Sequence, residues 1–125
     1  FGNTAPFIQF NVVRCKSILK SAKVNVSELH WSAQTPLDDA ERTLAAGVLS
    51  FPSVVQEAAD AYDPSVIATH CYDLIKAFSS FYQDHPIAKE TDHNTRNMRL
   101  ALCATVSITV SNGMSLLGID MPDRM

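Results

Sequence analysis

Apolar residues recur at helical spacing through most of the chain. Ile8, Val12, Cys15, Leu19 and Ala22 share one stripe at about 100° per residue. A first helix is therefore predicted from Pro6, which suits a helix opening, to about Ala22, with Thr4 as a candidate cap. Residues 23–35 show no period and read as a connection. Pro36 followed by Asp38, Asp39 and Glu41 opens a second helix reaching about Val48, because carboxylates favour the first turn. Ser50-Phe51-Pro52 interrupts it, and a third helix runs from Pro52 to near Tyr62. Asp63 and Pro64 open a fourth, which ends before Pro86. Its stripe is Ile67, His70, Cys71, Leu74, Phe78 and Phe81, with Tyr82 at the edge. Residues 87–93 form a loop, and a last helix runs from about Asn94 to Leu117. Gly113 within it costs about 1 kcal/mol relative to Ala, so close approach of a neighbouring helix is expected there. Ser107–Val110 is rich in β-branched residues but sits inside a longer helical pattern. The expected fold is all-α, a single bundle of about five helices making one domain over residues 1–125.

The first helix carries more than a core stripe. Phe7, Phe10 and Arg14 cluster on a separate side, and Lys16, Lys20 and Lys23 on a third. Two aromatics beside a guanidinium suit unpaired bases, since rings stack on bases and arginine stacks or donates paired hydrogen bonds. By pattern alone, burial on two sides with Arg14 paired to an acid is the favoured reading, because aromatic pairs at helical spacing are usually packing.

Charge sharpens the first of these readings. The net charge is −3, which disfavours nonspecific attraction to polyanions. Yet residues 1–27 hold Arg14, Lys16, Lys20 and Lys23 and no acid, whereas residues 28–63 hold seven acids against Arg42 alone. A basic end on an acidic domain points to one localised anionic partner. Cys15, Cys71 and Cys103 are odd in number and lack a C-x-x-C pair, so neither a disulfide framework nor a zinc site is expected; they read as core residues in a reducing compartment. His70 lies on a core stripe and reads as a core histidine with one hydrogen bond. The apolar stretch Leu100–Val110 is too short to span a bilayer, and no secretory signal is visible.

Five strings carry a resemblance. Asn3-Thr4-Ala5-Pro6-Phe7-Ile8-Gln9-Phe10-Asn11-Val12-Val13-Arg14 is similar to N-T-G-P-Y-x-Q-Y-x-x-x-R of the arginyl-tRNA synthetases. Phe51-Pro52-x-Val54-Val55-x-x-Ala58 is similar to F-P-x-V-V-x-x-A. Pro64 through Phe81-Tyr82 is similar to P-x-x-[IL]-x-x-Y-L-x-x-L-x-x-x-F-x-x-F-Y, with His70-Cys71 in place of the usual Tyr-Leu. Arg99-Leu100-Ala101-Leu102 matches R-L-x-L. The closing string, Asn112 to Met125, resembles the C-terminus of the same family. Two departures stand out: Phe7 and Phe10 replace a tyrosine pair, which keeps stacking but removes two hydroxyls, and Ala5 replaces a glycine.

The resemblance implies a C-terminal anticodon-binding (DALR) domain of a longer class I synthetase that attaches arginine to its tRNA with ATP. It implies anticodon contacts from Phe7, Gln9, Phe10, Arg14 and Tyr82, phosphate contacts from Lys16 and Lys20, and a pocket completed by Met125. The chain end and the first helix should then converge on one exposed pocket. Arg99 is open between an RNA contact and a solvent-exposed or capping arginine. No H-I-G-H string, K-M-S-K-like loop or glycine-rich phosphate cradle is present, so this piece is expected to lack the catalytic site and to bind no cofactor or metal. The expected partner is an arginine-specific tRNA, and a cytoplasmic monomer is expected. The alternatives are a helical protein-interaction module using the Phe7/Phe10 face, or the same domain in another synthetase such as the cysteine enzyme.

Overall fold

The computed structural model describes residues 4–125, and Asn3 of the opening string lies outside them. Five helices form an all-α bundle, with no strand among the described residues: α1 Thr4–Ala22, α2 Asp39–Leu49, α3 Phe51–Ala61, α4 Ser65–Asp84 and α5 His93–Leu116. Thr4 is helical rather than a cap, so α1 starts two residues before Pro6. A single 3-10 turn, Val26–Glu28, interrupts the connection after α1.

The helix ends follow local chemistry. Asp38 caps α2 by accepting from the Glu41 amide, while the Glu41 carboxylate accepts from the Asp38 amide, both at 2.9 Å. This reciprocal box satisfies two donors that the helix cannot. Tyr62 ends α3 in the left-handed region at φ 52°. Asp63 accepts from the Ser65 amide and hydroxyl and so organises the first turn of α4. Asp92 caps α5 through Thr95.

Helix α5 is the centre of the bundle and packs against α1, α2 and α4, while α3 lies against α4. Its residues from Leu100 to Leu116 include no charged side chain, as a helix surrounded by neighbours requires. Leu100, Cys103, Val106, Val110 and Met114 meet Ile8, Val12 and Cys15 of α1 and Cys71, Leu74, Ile75, Phe78 and Phe81 of α4 in one core. At Gly113 α5 lies close against α4 and α3: a Cβ there would lie 2.5 Å from Cys71 Sγ and 3.2 Å from the Phe51 ring. The close approach expected at this glycine is therefore present. All three cysteines are free and buried. His70 makes the one hydrogen bond expected of it, with Nε2 2.9 Å from the Gly47 carbonyl oxygen, but it is half-buried at the edge of the core and not within it.

One buried ion pair ties the bundle together. Arg99 Nε on α5 donates to Glu41 Oε2 at 2.8 Å, and Glu41 is almost wholly enclosed. Arg99 Nη1 donates to the Pro86 carbonyl at 2.7 Å and lies 3.3 Å from Glu90. Arg99 is thus a structural arginine: it neutralises a buried carboxylate and anchors the loop after α4.

Candidate nucleic-acid interface

Arg14 stands where α1 meets the C-terminal end of α4. Its guanidinium carbon lies 4.8 Å from the centroid of the Phe10 ring and 4.4 Å from that of Tyr82. Phe10 comes from the preceding turn of α1, and Tyr82 from the last turn of α4. A cation between two ring faces is held by both quadrupoles while its edge N–H groups stay directed outward. Phe10 is 51% exposed and Tyr82 40%, so each ring retains surface for a further stacking partner. No salt bridge neutralises Arg14 among the described residues.

A cleft of about 550 Å³ opens beside this stack. Arg14, Ser17, Ile18 and Ser21 of α1 form one wall, and Tyr82 with the loop from His85 to Lys89 forms the other. The lining carries the cations Arg14 and Lys89 and no carboxylate, with Ile18, Pro86 and Ile87 as apolar floor. Such a cleft presents donors and positive charge around an apolar surface, the combination that receives an unpaired base and its phosphate.

The loop wall is pinned from behind. Arg99 holds the Pro86 carbonyl, and Arg96 Nε donates to the Ala88 carbonyl at 3.3 Å. The His85 ring stacks on Phe81, with centroids 4.5 Å apart. Its Nδ1 meets the Phe81 carbonyl at 3.0 Å and its Nε2 the Asp38 carboxylate at 2.5 Å. Both contacts are to oxygen atoms, and together they fix the plane of the ring. Partial burial of Asp38 works to raise its pKa, but the Glu41 amide and the His85 ring outweigh it and hold the carboxyl below its ordinary value.

The expected site residues divide into three groups. Phe10, Arg14 and Tyr82 come together as described. Phe7 shares their side of α1 but turns inward, half-buried, with its ring 5.9 Å from that of Tyr72. It supports the site from within and does not present a free stacking face. The contiguous Phe7/Phe10 patch that a protein-docking module would use is consequently broken: Phe7 leans on Tyr72, and Arg14 takes one face of Phe10.

Gln9 and Lys16 face the chain end. Gly118, at φ +78°, turns the chain after α5, and the Ile119 amide closes the helix by donating to Met114 at 2.9 Å. Ile119 and Met121 then pack on the core. Gln9 Nε2 donates to the Asp120 carbonyl at 3.3 Å, and Lys16 Nζ to the Pro122 carbonyl at 3.2 Å and Asp123 Oδ1 at 3.1 Å. The tail thus reaches α1, but on the order of 150° around the helix from Arg14. Met125 is 70% exposed and does not line the cleft, so the structure does not show the single pocket expected from helix and tail together. Lys16 is engaged by the tail, whereas Lys20 is exposed in the last turn of α1.

Ser17, Ile18, Ser21 and Lys89 were not anticipated. Ser17, Ile18 and Ser21 continue the Arg14 side of α1 at helical spacing, a signal present in the sequence; Lys89 sits in a loop without period, where no pattern marks it. Among the described residues no group of three His, Cys, Asp or Glu side chains could hold a metal ion, and no helix is long and apolar enough to cross a membrane.

A family model described as "DALR anticodon binding domain" matches residues 8–125. The chain is 38% identical to the arginine–tRNA ligase of Porphyromonas gingivalis, over 99% of its own length and 21% of the relative's. It is 40% identical to that of Bacteroides thetaiotaomicron with the same coverage. The chain therefore spans about a fifth of the length of the curated relatives it matches. Among solved structures, Thermus thermophilus arginyl-tRNA synthetase superposes with a TM-score of 0.81 at 29% identity, covering 96% of this chain and 21% of that one. A Campylobacter jejuni protein described as an arginyl-tRNA synthetase superposes at 0.89 with 20% identity, covering 98% and 27%, a likeness of fold.

Proposed function

This chain belongs to the DALR anticodon-binding domain family, and on that premise we propose that it reads the anticodon loop for an arginine–tRNA ligase. The observation that carries the proposal is the Phe10–Arg14–Tyr82 stack at the mouth of a cleft whose lining has cations and no carboxylate. Splayed anticodon bases offer both faces and edges, which rings and a guanidinium can engage together. In this reading Phe10 and Tyr82 stack on bases, Arg14 donates to a base edge or phosphate, and Lys89 meets backbone phosphate. Lys20 and the exposed Met125 make outer contacts with the same loop, while Phe7, Gln9 and Lys16 hold the site and tail in place.

The domain would be the C-terminal part of a longer cytoplasmic enzyme, monomeric and specific for arginine tRNA. Its catalytic part would use ATP to join arginine to the tRNA, and this part would need neither cofactor nor metal. All the solved and curated relatives named above are arginine enzymes, which disfavours the cysteine enzyme as host.

The test is binding of the chain to an arginine-tRNA anticodon stem-loop and to one with a scrambled loop, at two salt concentrations. Preference for the native loop is expected, with affinity falling steeply as salt rises because phosphate contacts release counterions. Equal affinity for both loops would remove the proposal.

A further inference from the structure

Asn11 is a polar side chain placed where an apolar one would be expected. It is 1% exposed, and on the helical wheel of α1 it lies between the core stripe and the Arg14 side. Burying an amide without partners costs more than burying a hydrocarbon gains, and Asn is also a modest helix former. Both ends of the amide are satisfied. Nδ2 donates to the Phe7 carbonyl at 3.0 Å, and Oδ1 accepts from Arg14 Nη1 at 3.2 Å. The amide has only one orientation here, because a guanidinium only donates and a carbonyl only accepts.

We propose that Asn11 is a positioning residue for Arg14. The two rings fix the height of the guanidinium but leave the direction of its N–H groups free to change through the side-chain torsions and the C–N bonds. The Asn11 oxygen removes that freedom by holding one of its five N–H groups. Among the described residues this is the one hydrogen bond the guanidinium makes, so four donors keep a defined direction for a ligand. A carboxylate in the same place would hold Arg14 as firmly but cancel its charge. The neutral amide orients the cation and leaves it attractive to an anion. The inference rests on the reading of Arg14 as an RNA contact.

The experiment combines a double-mutant cycle with a direct view of the guanidinium. Wild type, Asn11→Ala, Arg14→Ala and the double variant are titrated with the arginine anticodon stem-loop. Arg14→Ala is expected to weaken binding about tenfold or more, the scale of a lost charge-assisted hydrogen bond. Asn11→Ala is expected to weaken it about fivefold, and the double variant no further than Arg14→Ala alone. In ¹⁵N NMR of the free chain, the Arg14 Nη signals are expected to be resolved by slow rotation in wild type and averaged in Asn11→Ala. Asn11→Leu keeps the side-chain volume without a buried polar group should the alanine variant fail to fold. It should average the Arg14 Nη signals and weaken binding as Asn11→Ala does.

A loss in Arg14→Ala with none in Asn11→Ala would overturn the positioning role alone. Equal further loss from Asn11→Ala in the Arg14→Ala background would do the same, since a merely structural residue acts without its neighbour. Unchanged affinity in Arg14→Ala would overturn the RNA reading and this inference with it.

Discussion

The guanidinium of Arg14 lies over the Tyr82 ring, its carbon 4.4 Å from the ring centroid, and so couples the middle of α1 to the end of α4. The ring, not the hydroxyl, makes this contact. Tyr82→Ala should therefore weaken stem-loop binding about tenfold, the scale of one lost base–aromatic stack, whereas Tyr82→Phe should stay within about twofold of wild type. Fluorescence anisotropy with a labelled stem-loop checks both. An equal loss in the two variants would assign the role to the hydroxyl instead.

The tail offers a case where magnitudes decide which contact matters. Lys16 and Asp123 form an ion pair, but Asp123 is almost fully exposed, and such pairs contribute about 0–1 kcal/mol. Ile119 and Met121 pack on the core, and each side chain contributes on the order of 1 kcal/mol when half-buried. Asp123→Asn should change stability little, while removal of residues 119–125 should cost about 2 kcal/mol in urea unfolding. Removal of Met125 alone should leave stability unchanged and weaken stem-loop binding modestly. Unaltered RNA binding would take Met125 out of the interface.

The helices were legible in the sequence because local chemistry determines them: Asp38 and Glu41 announce the start of α2, and Gly113 announces a close neighbour. The inward turn of Phe7 was not legible, since Phe7 and Phe10 share a side of α1 and only α4 decides which ring is covered. Arg99 was ambiguous for the same reason. Its partner Glu41 lies 58 positions away, and nothing local distinguishes a buried pairing from an exposed arginine. The stack itself needed Tyr82 brought to Arg14 from another helix; helical spacing placed Phe10 beside Arg14, and the resemblance to known strings supplied Tyr82. Asn11 passed as an ordinary polar residue because its value lies in two hydrogen bonds that only the folded helix forms.

Acid should weaken this fold through its helix caps. Asp38 is held below its ordinary pKa by the Glu41 amide and His85, against some opposing burial; Asp92 is likewise lowered, by the hydroxyl and amide of Thr95. A depressed carboxyl pKa adds stability that is present above the unfolded value near 3.8 and is lost as pH falls through the folded value. Wild type should therefore lose stability below about pH 4, and Asp38→Asn combined with Asp92→Asn should lose less over the same window. Urea unfolding at pH 5 and pH 3 measures the difference. Equal losses would show that other carboxyls dominate.

The cysteines should be chemically silent in the native protein. Burial pushes Cys71 up to about 11 and Cys103 up to about 12, and raises Cys15 further still, with Cys103 adding to the effect there. The thiolate is the reactive form, and it is both scarce and enclosed at pH 8. No equivalent should react with Ellman's reagent in buffer, and all three should react in guanidinium. A native equivalent that reacts at the unfolded rate would mean that the α1–α5 or α4–α5 seam opens readily.

Gly113 sets two effects against each other, and their sizes predict the winner. Replacement by alanine gains at most about 1 kcal/mol of helix propensity in the last turn of α5. The new methyl would sit 2.5 Å from Cys71 Sγ and 3.2 Å from the Phe51 ring, with Ile67 at 3.5 Å. Cys71 is itself enclosed, so its sulfur has no free direction in which to move, and α4 must shift away from α5. Overpacking of this kind costs about 1–3 kcal/mol, and the loosened packing along the opened seam adds to it. Gly113→Ala should therefore destabilise the chain by about 1–2 kcal/mol despite the better helix former. The companion Gly113→Ala/Cys71→Ala variant frees the space that the sulfur occupied and should recover part of that loss, a non-additivity expected of residues in contact. Thermal and urea unfolding of the four proteins measures it. Strict additivity would place the clash elsewhere than on Cys71.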